Sequence, residues 1–166
     1  MQSKGRKFHE LADQIREEGN FGVALNLHNL ALHSYSIDKD NFGFSEGLAD
    51  MSITYRHMSS KVSDGNYLIL SLHIAKAAVE VAEKKGLKEA LAVAYFNLAK
   101  AYDYLKDFSK AVEFFKKASD NLENNPPQSH NRPAIKADFQ IHLGKAKYES
   151  GDKSGLEIIE DGIKKL

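Results

Sequence analysis

Seven histidines and no cysteine in a chain of 166 residues make metal binding and proton transfer by imidazole the first chemistries to test. Two side chains on one helix share an ion best at i and i+4, as in His-Glu-x-x-His. His9-Glu10 begins that pattern, but Asp13 stands where the second histidine belongs. His28 and His33 fall on different faces of one helix, and His57, His73 and His130 have no ligand-like neighbours. His28 occupies a packing position and reads as a core histidine with one hydrogen-bond partner. Asp38-x-Asp40-x-Phe42-Gly43 opens like a calcium loop, yet Phe42 offers no oxygen and Ala49 fills the place of the closing glutamate. Gly151-Asp152-Lys153-Ser154-Gly155 has neither phosphate-loop spacing nor a nucleophile elbow, and reads as a turn between helices. Without cysteine there is no disulfide scaffold, zinc ribbon or thiol nucleophile. These patterns support no catalysis, no cofactor and no metal site.

Charge and hydropathy narrow the partner class. Lys plus Arg and Asp plus Glu are equal at 23 each, whereas nucleic-acid binding normally shows as a basic excess or dense cluster. The basic start, Met1 to Lys7, leads into no apolar run and so is not a secretory signal. Leu68-Ile69-Leu70-Ser71-Leu72 is far short of the roughly 20 residues needed to cross a bilayer. The default is a cytoplasmic chain with no nucleic-acid or membrane partner.

The elements that must position any site are helices. All three prolines lie between positions 126 and 133, so everything before Asn124 is free of proline breaks. Apolar residues recur at helical spacing, as in Leu25, His28, Leu32 and in Leu91, Tyr95, Leu98, Tyr102. Gly19-Asn20, Gly65-Asn66 and Gly151-Asp152 each join a left-handed stop to a cap for the next helix, and Lys106-Asp107 takes the same place without glycine. The result is an all-α chain of eight helices, roughly 3–18, 21–37, 44–61, 66–85, 87–105, 108–122, 133–149 and 153–166.

Eight helices in four pairs invite a search for repeats. The third pair reads Tyr95-x2-Leu98-Ala99-x2-Tyr102, then Phe108, Ala111-x3-Phe115-x2-Ala118. This pattern resembles the tetratricopeptide repeat (TPR) family, in its longer form of about 40 residues per repeat. Repeats of roughly 3–40, 41–86, 87–124 and 131–166 form one domain over 1–166. The small residue of each first helix is Ala12, Ser52, Ala99 and Gly144, and late in each second helix Ala31, Ala77, Ala118 and Gly162. An earlier position on the second helix reads Ala24, Leu70, Ala111 and, with one residue less in the last turn, Gly155. Small side chains let two antiparallel helices approach, and large ones between them fill the space against the next pair. The resemblance implies a right-handed superhelix of four such pairs.

It also implies a concave groove lined by the first helices, where a peptide or protein segment binds. Groove positions carried over residue by residue include Phe96, Asn97, Lys100 and Tyr104 from pair three, Ile141, His142, Lys145 and Tyr148 from pair four, and Arg56 from pair two. Pairs one and two look mixed in charge, with Glu10, Asp13 and Asp50 facing Arg6, Arg16 and Arg56. Asn97 matches the asparagine that holds peptide backbone in many members, and with Lys100, His142 and Lys145 it makes a donor set for a carboxylate. Phe96, Ile141, Tyr104 and Tyr148 supply apolar contact. The clamp of the members that bind chaperone tails is absent, because His9, Asp13 and Asp50 stand where lysine and asparagine are needed. The chain thus reads as a scaffold or adaptor. The alternatives are a self-assembling unit, joined through the apolar stripe Leu156, Ile159, Ile163 and Leu166 of the C-terminal helix, and a peptide-sensing regulatory domain.

Overall fold

The computed structural model describes residues 2–128 and 130–166, and these hold eight α-helices and no strand. They are α1 (Lys4–Glu17), α2 (Phe21–Asp38), α3 (Asn41–Val62), α4 (Asn66–Lys84), α5 (Lys88–Tyr104), α6 (Phe108–Asn124), α7 (Pro133–Glu149) and α8 (Gly155–Ile163). Short polar side chains start several of them by accepting an otherwise unpaired N–H of the first turn. Ser3 accepts from Arg6, Asn20 from Val23, Asp40 from Gly43 and Asp107 from Lys110. Pro133 opens α7, where its missing N–H costs nothing. Left-handed residues close the turns: Gly19, Gly86 and Gly151, and also the non-glycines Lys39, Ser63 and Lys106. Lys106, at φ 64°, does take the glycine's place between α5 and α6.

The chain forms two compact units, Met1–Leu87 and Lys88–Leu166. In the first, α1 pairs with α2 and α3 with α4, and α2 packs on α3; in the second, α5 pairs with α6 and α7 with α8, and α6 packs on α7. Each seam is lined with small residues. Ala12, Ala24 and Ala31 are fully buried in the first pair, and Ala99, Ala111 and Ala118 in the third. The fourth pair is tightest: a Cβ on Gly155 would lie 2.2 Å from the Gly144 carbonyl oxygen, and one on Gly144 2.6 Å from that of Gly155. Only glycine permits that approach.

The second pair departs from the expected register by one residue. Leu70, expected on the packed face, is 44% exposed, and Ala77 is only half-buried. Ser71 and Ala78 take their places with no exposed surface, and the Ser71 hydroxyl donates to the Ser52 carbonyl at 2.8 Å. A serine serves at this seam because its size matters and its hydroxyl finds a backbone acceptor. The helix before it is also longer than expected, since α3 runs for 22 residues from Asn41. Its early start depends on Gly43, whose missing side chain leaves room for the Tyr35 ring; a Cβ there would sit 2.5 Å from that ring, and one on Gly5 of α1 2.7 Å. Tyr35 is thereby wedged between α1 and α3.

Candidate functional site

In the second unit the first helices of the two pairs, α5 and α7, meet through side chains. Phe96 stacks on Phe139 with ring centroids 4.1 Å apart and meets Phe115 and His142 edge-on. The His142 ring lies nearly parallel to Phe115, 5.7 Å away. Lys100 Nζ donates to His142 Nε2 at 3.4 Å, and one helical turn further on Lys145 Nζ donates to Asp103 Oδ2 at 3.0 Å. Burial first, and then the Lys100 charge, hold His142 below the usual imidazole range despite Asp138 and Asp103. His142 is therefore neutral at physiological pH and accepts from Lys100. Asp103 is 5% exposed and Lys145 52%, so the ammonium stays at the surface above a buried carboxylate.

The predicted groove residues are thus only partly gathered. Phe96, Lys100, His142 and Lys145 come together, and Lys100 also lies 5.7 Å from the Tyr104 ring centroid. Tyr104 and Tyr148 are exposed. Asn97 is 4% exposed, and its amide donates to the Val93 carbonyl of its own helix at 3.2 Å. Ile141 turns toward α8, where a Cβ on Gly162 would lie 2.6 Å from its Cγ1. Arg56 belongs to the first unit and is buried on α3. Asp103, at a further groove position of the third pair one turn after Lys100, is the buried carboxylate that pairs with Lys145.

The matching junction of the first unit joins α1 to α3 with different chemistry. His9, 2% exposed, has Nε2 2.5 Å from Asp50 Oδ2 and 3.8 Å from Asp13 Oδ2. Its Nδ1 lies 3.1 Å from the Tyr35 hydroxyl. Arg16 Nη1 donates to Asp13 Oδ1 at 2.7 Å, and Arg6 Nη2 to Glu46 Oε2 at 2.6 Å. Behind them the Thr54 hydroxyl donates to the Asp50 carbonyl, so His28, 3.0 Å away, donates to Thr54 from Nε2 and leaves Nδ1 as a bare, buried lone pair. Burial would raise Asp50, but the His9 hydrogen bond and charge hold it below the usual carboxylate range. Burial, and then the Asp50 charge, push Asp13 up to about 6 in spite of Arg16 and His9. Burial would lower His9, yet Asp50 raises it; His28, with no such partner, is pushed down to about 4 by burial.

No protein-family model and no curated protein matches the sequence. Solved structures do. BtubC (BKLC) from P. vanneervenii matches with a TM-score of 0.77 and 16% identity, over 97% of this chain and 62% of that one. A putative kinesin light chain with nearly identical TPR-like repeats from Podosopora anserina matches at 0.71 and 17%, over 95% and 72%. The chain therefore spans less than two thirds of BtubC's length. At such identities the likeness is one of fold, and the fold is the all-α, TPR-like repeat that the small-residue pattern implies.

Neutral, buried His28 makes stability depend on acid. Below its ordinary value of 6.5 the unfolded chain takes a proton that the folded chain refuses down to about 4, so its contribution falls as pH falls. Relative to His28→Gln, the wild type is expected to lose about 2 kcal/mol between about pH 7 and pH 5 in urea unfolding. Parallel curves would place the His28 proton elsewhere.

Proposed function

We propose that the chain is a non-catalytic, cytoplasmic interaction module that receives an extended, acidic segment of a partner protein on the α5–α7 face of its second unit. The supporting observation is the pair of ammonium groups, Lys100 and Lys145, at the rim of a ring cluster that includes Phe96, with the exposed rings of Tyr104 and Tyr148 on the same two helices. Each ammonium has three donors and so can hold its present partner and a carboxylate together. The aromatic rings offer area that costs little conformational entropy to bury. His142, neutral and aromatic, adds stacking surface without competing for the acid. Charge balance over the chain disfavours nucleic acid, and no helix among the described residues is long and apolar enough to cross a membrane.

A second surface favours self-association. Leu156, Ile163 and Leu166 at the C-terminal helix are exposed large apolar residues, as on the open face of a repeat that another helix would cover. Light scattering at rising concentration is expected to show dimers that Ile163→Asp abolishes; a strict monomer removes this reading.

For the peptide reading, selection from a displayed library of short acidic peptides is expected to enrich binders. Lys100→Ala should weaken the selected peptide by about tenfold or more, the value of a charge-assisted hydrogen bond, with circular dichroism unchanged. Failure to enrich any sequence, or an affinity indifferent to Lys100, would overturn it.

A further inference from the structure

We propose that His9, Asp13 and Asp50 form a binding site for a divalent transition-metal ion in the first unit. His9 Nε2 and one oxygen of each carboxylate lie within 4.8 Å of one another. His9 and Asp13 are one helical turn apart on α1, and Asp50 faces them from α3. A neutral imidazole and two carboxylates carry two negative charges and so match a dication. Zinc bonds of about 2.0–2.2 Å in a tetrahedron set ligand atoms roughly 3.3–3.5 Å apart. The two measured separations from Nε2, 2.5 Å to Asp50 and 3.8 Å to Asp13, bracket that value. An ion entering between His9 and Asp50 needs that pair to open by about 0.9 Å.

The outer partners are also those of a built site. A metal-ligating histidine is oriented by a hydrogen bond at its other nitrogen, and ligating carboxylates are held in turn. The Tyr35 hydroxyl meets His9 Nδ1 at 3.1 Å, and Arg16 holds Asp13 by Oδ1, leaving Oδ2 as the atom nearer the imidazole. Gly5 and Gly43 fix the Tyr35 ring between two helices, which fixes the direction of His9. The side chains of Asp13 and Asp50 remain 34% and 22% exposed, giving an ion an entry path and water a fourth coordination position. A purely structural pair would need one carboxylate on His9. The second is held beside it by the Arg16 guanidinium. The neighbouring imidazole of His28 is wholly buried, 6.0 Å from His9 between ring centroids, with Nδ1 lacking a partner.

The test uses the tag-free, chelator-stripped chain titrated with Zn2+ in competition with a chromophoric chelator, and with Co2+ as a visible probe. One ion per chain is expected, with a Co2+ band absent in His9→Gln. Asp13→Asn and Asp50→Asn should each weaken Zn2+ at least tenfold, and Tyr35→Phe, which touches only the outer nitrogen of His9, about ten- to hundredfold. His33→Gln, at a histidine outside the cluster, should bind as the wild type does. Zn2+ should also raise the melting temperature of the wild type, a reading that stands even where a variant folds poorly. Absence of stoichiometric binding, absence of the thermal shift, or binding that survives both Asp13→Asn and His9→Gln would overturn the proposal.

Discussion

The fold depends on how closely two helix backbones can approach. Where Ala12, Ala24 and Ala31 meet, or Ala99, Ala111 and Ala118, a methyl group is the largest side chain present. At Gly144 and Gly155 even a methyl does not fit. Such seams draw the paired backbones together, so large residues such as Phe115, Leu122 and Tyr35 pack to near-complete burial around them. Dispersion and apolar burial act over many such contacts, and each is lost if the seam opens.

That spacing also sets what the first helices can offer each other. Counted from the small residue of each first helix, His9 corresponds to Phe96, Asp13 to Lys100 and Asp50 to His142. In both units these three positions converge, on α1 with α3 and on α5 with α7. The backbone device is one and the chemistry is two. The first unit gathers acid around an imidazole; the second gathers ammonium groups around aromatic rings. The former is the proposed site for a dication and the latter the proposed site for a carboxylate.

The helices, the Asn20 and Asp107 caps and three of the four seams were legible in the sequence, because proline placement, short polar caps and recurring alanines act locally. At Gly65-Asn66, by contrast, Ser63 is the left-handed residue and neither Gly65 nor Asn66 caps α4 through a side chain. The second seam was misread by one residue, since Ser71 is polar by type and small by volume, and the seam selects volume. The site was less legible. His9 with Asp13 read as an incomplete ligand motif, and Asp50, which meets His9, lies 41 residues away on another helix. Asn97 and Ile141 stood at groove positions by family resemblance; in the structure Asn97 is buried with its amide on Val93, and Ile141 packs toward Gly162. Helical phase places a Cα on a face; it does not choose the rotamer.

Backbone proximity at the small-residue seams holds the structure together, and paired glycine substitutions test this most directly. Gly155→Ala puts a methyl into the Gly144 carbonyl, whereas Gly22→Ala on α2 meets nothing within 4 Å. Urea unfolding should show Gly155→Ala losing about 2 kcal/mol or more, and Gly22→Ala unchanged or gaining up to about 1 kcal/mol. Equal stabilities for the two variants would contradict the account.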